Sequence, residues 1–127
     1  MINNFTPTKL VLNPPYVDEK VMDEFKKYMG DDGDSMEKEL ITLYLTNTPK
    51  AINLIGQDMK TGDIESLKAH VHSLKGSSAQ LGVTGIATLC RNIEDAILEG
   101  KFVEIEPIFD RLEEIYPQVE SIFKNKL

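Results

Sequence analysis

From about residue 18 to the C-terminus, apolar side chains recur every three or four positions, and no stretch alternates apolar with polar residues as a half-buried strand would. That period points to helices, each packed through one apolar stripe. Five segments carry it. Val21, Met22, Phe25 and Met29 form the first stripe; Asp18 is placed to cap that helix and Gly30-Asp31-Asp32-Gly33 to break it. Asp34 and Glu37 have capping-box spacing and open a second helix. Its positions Met36, Leu40, Leu43, Tyr44, Leu45, Ala51, Ile52, Ile55 and Met59 stay in phase across Pro49, which predicts one long, bent helix to about Lys60. Asp63 caps a third helix with Ile64, Leu67, Val71, Leu74 and Leu81, ending where Gly82 can turn left-handed. Thr84 is expected to cap a fourth, through Ile86, Leu89, Cys90, Ile93, Ala96 and Ile97, closed by Gly100-Lys101. The fifth runs through Ile105, Ile108, Phe109, Leu112, Ile115, Val119, Ile122 and Phe123, with Pro107 tolerable near its first turn and Pro117 expected to bend its second half.

The connections are short, so sequential helices should be antiparallel neighbours. The expected fold is all-α: an antiparallel four-helix up-down bundle with an additional N-terminal helix. Residues 1–16, with Pro7, Pro14 and Pro15 and no sustained period, read as an extended lead-in to a single bundle domain over 17–127. A net charge of −7 argues against non-specific nucleic-acid binding, which needs clustered Lys and Arg. No apolar run approaches the ~20 residues that span a bilayer, and Met1-Ile2-Asn3-Asn4-Phe5 does not begin like a signal peptide. A lone Cys90 at a core position cannot form an internal disulfide and suits a reducing compartment. The expectation is a cytoplasmic, monomeric protein. Asp31-Asp32-Gly33-Asp34 lacks the twelve-residue spacing and terminal Glu of an EF-hand and reads as a turn.

Chemistry concentrates on the third helix. At about 100° per residue, His72 falls opposite the apolar stripe, in water, with Lys68 one turn before and Lys75 one turn after on the same face. Gly76, at i+4, leaves the approach to the ring open, although glycine inside a helix costs ~1 kcal/mol against alanine. A solvated surface histidine is the competing reading. An imidazole, whose reference pKa is ~6.5, offers a free lone pair near pH 7, and two ammonium groups within reach suit the charge of a phosphoryl group. Lys68 reads equally well as a solvated lysine. His70 lies about 200° from His72, so the two rings cannot converge on one metal; it is expected to be a partly buried histidine bonded to a neighbouring helix. Ser78 points to the core side and Ser77 to its edge, as small residues where helices approach closely. Gln80, about a quarter-turn from the His72 direction, is a further candidate to meet the phosphoryl group or a partner.

His72-Ser73-Leu74-Lys75-Gly76-Ser77-Ser78-Ala79-Gln80-Leu81-Gly82 resembles the motif of the histidine-containing phosphotransfer (HPt) family, roughly H-x-L-K-G-S-S-x-x-L-G. The likeness is close over these eleven positions and looser over the other helices from about Val17; Val83 stands where Ala is commoner. Such proteins are helical bundles that relay a phosphoryl group between one histidine and the aspartate of a receiver domain. The resemblance implies that His72 is phosphorylated, that Lys75 stabilises the phosphoryl group and that Gly76 admits the partner. It implies response-regulator receiver domains as partners, with a hybrid sensor histidine kinase upstream, docking over a rim that includes Ala69, Gly76 and Ala79. It also implies no cofactor on this chain, the Mg²⁺ belonging to the receiver. Nothing in the sequence resembles an ATP-binding loop, so the expectation is a covalent carrier rather than a kinase. The alternative is a helical adaptor that binds a signalling partner without being phosphorylated. A hydrolase using His72 as base would need an acid, an oxyanion donor and a pocket, which an exposed mid-helix histidine does not supply.

Overall fold

Helix α1 (Glu19–Met29) begins where the Asp18 carboxylate accepts a hydrogen bond from the Lys20 amide at 3.0 Å, satisfying a donor that the first helical turn leaves unpaired. The computed structural model describes residues 14–127; the lead-in expected over residues 1–13 lies outside the described residues. A short 3₁₀ turn (Gly30–Asp32) joins α1 to α2 (Gly33–Thr61), followed by α3 (Ile64–Gln80), α4 (Thr84–Leu98), a second 3₁₀ turn (Phe102–Glu104) and α5 (Ile105–Lys124). Helices α2 to α5 each pack against the next, and α5 returns to α2, which closes an up-down bundle; α1 lies against α2.

The core is the set of stripes read from the sequence. Ile41 and Ile55 of α2, Leu67, Val71 and Leu74 of α3, Ile86, Leu89 and Ile93 of α4, and Leu112, Ile115 and Val119 of α5 are all buried. Burying one such side chain contributes roughly 1.5–3 kcal/mol, which explains why α2 continues through Pro49. The proline costs about 3 kcal/mol in a helix interior, and Tyr44 on one side of it and Ile55 on the other offset that by staying in the same core. Tyr44 packs edge-on against Phe123 of α5, with ring centroids 5.7 Å apart, and its hydroxyl is 2.7 Å from Oγ of Ser78. Ser78 thus serves α2–α3 packing. Helix α5 likewise runs unbroken through Pro117.

Three local expectations are corrected. The Asp34–Glu37 capping box does not form: Gly33 already has helical torsions, so α2 starts before Asp34. The two carboxylates instead face Lys26 of α1, at 3.6 and 3.4 Å. Thr84 does not cap α4 but is its first residue, and its hydroxyl donates to the Tyr16 carbonyl at 3.3 Å. Leu43, read as part of the α2 stripe, is 53% exposed. Just ahead of α1 the chain packs onto the bundle. Tyr16 and Val17 are buried, and this short run is held by hydrogen bonds from Gly85 N to Tyr16 O (3.0 Å) and from Asp18 N to Gly82 O (2.7 Å). Gly82 has φ +76°, and a Cβ there would sit 2.6 Å from the Asp18 carbonyl oxygen, so only glycine fits this crossing. The α3–α4 turn is therefore clamped from outside, which fixes the relation of the two helices that carry the candidate site.

Candidate functional site

Asp63 starts the helix that matters, its carboxylate accepting from the Ser66 amide at 3.2 Å. With Leu67, Val71 and Leu74 buried against the other helices, the 3.6-residue turn leaves His72 on the outer face, its side chain 75% exposed. The ring is not loose. His72 Nδ1 donates to Glu94 Oε2 of α4 at 3.0 Å, and Lys75 Nζ donates to Glu94 Oε1 at 2.5 Å. A carboxylate can only accept, so the bond places the imidazole proton on Nδ1 and leaves the lone pair of the neutral ring on Nε2. Nε2 has no partner among the described residues.

Glu94 is the residue that the sequence did not single out. It sits on α4, one position past the buried Ile93, with its side chain 22% exposed. Partial burial pushes its carboxyl up, but the hydrogen bonds and charges of Lys75 and His72 together outweigh this and hold it below the ordinary value. Twenty-two positions separate Glu94 from His72, and only antiparallel packing of α3 on α4 brings them together.

His72 opens onto a crevice of about 450 Å³ between α3 and α4, lined by Lys68, Lys75, Arg91, Glu94, Asp95, Ile97 and Leu98. Three cations face two carboxylates there, on a chain of net charge −7. Lys75 is committed to Glu94, whereas Lys68 and Arg91 have no ion-pair partner among the described residues. Arg91 is a second residue that the sequence reading missed. Leu98 is 80% exposed at the rim. An anionic group carried by the ring would have cations of both helices in the same crevice.

Gly76 is exposed with ordinary helical torsions, and a Cβ added there would meet nothing within 4 Å. Among the described residues no contact requires glycine at this position, although glycine inside a helix costs ~1 kcal/mol against alanine. Ala69 and Ala79 are exposed on the same helix. Gln80 is not brought to His72. Eight residues along α3 separate them by about 12 Å, and Gln80 lines a different groove, between α2 and α3, with Leu40, Leu43, Ser73 and Ser77. That groove makes it a candidate contact for a partner rather than for the phosphoryl group. His70 lies where expected: its Nδ1 donates to Asp58 Oδ2 of α2 at 2.5 Å, and Asp58 is buried. Cys90 is buried, which pushes its thiol up to about 12. No group of three or more His, Cys, Asp or Glu among the described residues could hold a metal ion, and no helix among them is long and apolar enough to cross a membrane.

Residues 39–122 match the Hpt domain family. The chain belongs to that family. This Hpt domain is 30% identical over 67 residues to the phosphorelay intermediate protein YPD1 of Candida albicans, covering 53% of the present chain and 36% of that protein. It is 26% identical over 87 residues to multistep phosphorelay regulator 1 of Schizosaccharomyces pombe, covering 68% of the present chain and 30% of the other. Histidine-containing phosphotransfer protein 4 of Arabidopsis thaliana is 28% identical over 87 residues, 67% of this chain and 68% of that one. The chain therefore spans about a third of the first two relatives and two thirds of the third. Among solved structures, histidine-containing phosphotransfer protein B from Pseudomonas aeruginosa superposes with a TM-score of 0.77 at 20% identity, over 90% of this chain and 96% of that one. At that identity the likeness speaks for the fold, which is the Hpt helical bundle.

Proposed function

We propose that this Hpt domain is a phosphoryl carrier in a two-component phosphorelay, taking the group from the aspartate of a response-regulator receiver domain onto His72 and passing it to another. The observation that carries this reading is the state of the ring: exposed, tied through Nδ1 to Glu94, with Nε2 unpartnered among the described residues, on a side chain that lines a crevice with more cations than carboxylates. In the forward step the Nε2 lone pair attacks phosphorus in line. The N–P bond forms as the P–O bond to the aspartate breaks, and the carboxylate leaves with that electron pair. The ring carries the resulting positive charge beside Glu94. In the return step a receiver carboxylate attacks phosphorus and the electron pair goes back to Nε2.

The chain supplies the nucleophile, its orientation and the cations; the aspartate and the Mg²⁺ belong to the receiver. Lys75 is the nearest cation by sequence, and Lys68 and Arg91 add to it from the crevice walls. The receiver docks over the open approach at Gly76, with Ala69, Ala79 and Gln80 on its rim. On this reading the chain is a covalent carrier without ATP-dependent kinase activity, and a hybrid sensor histidine kinase is the expected source of the phosphoryl group. Incubation with a receiver domain labelled on its aspartate tests this. Acid-labile label should move to the wild type and not to His72→Gln. Failure of the wild type with several receivers would favour the adaptor reading.

A further inference from the structure

The bundle closes in the order α2, α3, α4, α5, so the seam between α5 and α2 lies opposite the α3–α4 seam that holds His72. That far seam is the loosest, since α2 and α5 touch each other least among neighbouring bundle pairs. Helix α1 meets α2 near its start, where Lys26 faces Asp34 and Glu37. At the other end of α2 the seam opens into a groove of about 690 Å³, from Ile52 to Lys60 on α2 and from Ile105 to Glu113 on α5. Eight helical steps span about 12 Å, a little over two turns. The floor is apolar. Ile105 and Phe109 are buried beneath it, Phe102 lines it at 50% exposure, and Gly56 faces the Phe109 ring. A Cβ at Gly56 would lie 3.5 Å from that ring, an ordinary contact, so the fold would tolerate a side chain that glycine leaves out of the groove. One wall is charged. Glu106, Asp110 and Glu113 recur at i, i+4 and i+7 along α5, exposed and bordering the groove. The ion pairs within α5 join Arg111 to Glu114 and Lys124 to Glu120, and these three carboxylates have none among the described residues. Asp58 is bonded to His70, and Lys60 is the one cation among the described lining residues.

We propose that this seam is a docking groove for a basic amphipathic helix of a partner protein, bound on the side of the bundle away from His72. An apolar floor two turns long between two helices takes the apolar stripe of a third, anchored at i, i+3 or i+4, and i+7. The carboxylate row pairs with lysines or arginines at the same spacing and repels an acidic helix. A second copy of this chain is a poor occupant, because its own net charge is −7. A receiver seated over His72 and a helix seated here occupy opposite faces. The partner can therefore hold the domain in place while receivers exchange. The proposal stands apart from the carrier reading, since His72 does not line the groove.

The probe is a peptide of about 14 residues with leucines on one helical stripe and lysines beside it, titrated into the ¹⁵N-labelled full chain. A scrambled peptide of the same composition is the control. Amide shifts should move at Gly56, Phe109 and Asp110 but not at His72 or Lys75, and the scrambled peptide should bind about tenfold more weakly. Asp110→Lys with Glu113→Lys should weaken binding about fivefold. Asp23→Lys with Glu24→Lys, the same change of charge at exposed positions of α1, should weaken it less than about twofold. Gly56→Leu should fill the groove and weaken binding about tenfold. If that variant does not fold, the exposed carboxylates decide the matter alone. Equal weakening by the two charge reversals would reduce the attraction to net charge and overturn the proposal. Equal binding of the scrambled peptide, or shifts centred on the His72 crevice, would overturn it too. Displacement of the peptide as chain concentration rises would make a second copy the occupant, and tighter binding after deletion of residues 1–13 would make that segment the occupant. Either result also overturns it.

Discussion

His70 and His72 stand two residues apart on one helix, and each donates its Nδ1 proton to a carboxylate on a neighbouring helix. The chemistry of the two pairs is the same; their surroundings are not. The Asp58 side chain is 11% exposed and that of His70 34%, and the pair joins α2 to α3 with no lysine or arginine bonded to it among the described residues. His72 is 75% exposed, and its carboxylate also holds Lys75 in a crevice lined by two further cations. About 200° of helix rotation thus turns one arrangement into a brace and the other into a candidate reactive site. A histidine–carboxylate pair is therefore not functional by itself. Access to Nε2 and nearby cations are what separate the two.

Exchanging either ring should break the comparison most visibly. His72→Gln should abolish phosphoryl uptake from a labelled receiver while leaving thermal unfolding close to wild type, whereas His70→Gln should retain uptake; the reverse pattern would mean that the two roles are misassigned. Asp58→Ala should come next, lowering unfolding free energy by about 1–3 kcal/mol in urea titrations, because it removes the acceptor of a largely buried bond. Gly76 sharpens the contrast between inner and outer faces. Gly76→Ala should stabilise the domain by up to ~1 kcal/mol, while Gly76→Leu should slow transfer from a receiver yet leave uptake from phosphoramidate unchanged. Equal slowing with both donors would place the glycine's role inside the domain.

The acid limb gives a smaller effect. The Glu94 carboxyl is held below its ordinary 4.5, so whatever stability it contributes is present above that value and is lost as pH falls through the folded one. Near the bottom of the carboxylate range Lys75 should be released first, visible as a change in its side-chain ¹⁵N resonance before global unfolding. Smallest of all, the Cys90 thiol should stay unreactive to Ellman's reagent at pH 8 in the folded protein, since burial pushes it up to about 12.

The bundle was largely legible because each stripe repeats at the helical period over several turns, and because Asp18 and Asp63 cap as their positions suggest. The misread starts share one cause. Asp34 and Thr84 have the right side chains for caps, but tertiary contacts, with Lys26 and with the Tyr16 carbonyl, take those side chains first. Within the site, His72, Lys75 and Gly76 were visible because they share one face of one helix. Glu94 and Arg91 were not, because α4 has its own exposed face and periodicity cannot say which of its charged residues meets α3. Glu94's position one past the buried Ile93 was the only local cue. Gln80 was placed by angle alone, and the helical rise of about 12 Å carries it out of reach of His72.

The most direct test is to phosphorylate the wild-type domain from a receiver aspartyl phosphate and read the phosphorus–nitrogen coupling by NMR. Coupling to Nε2 of His72, with the Nδ1 proton retained, is the predicted result. Phosphorus on Nδ1, on His70 or on no histidine of this chain would contradict it.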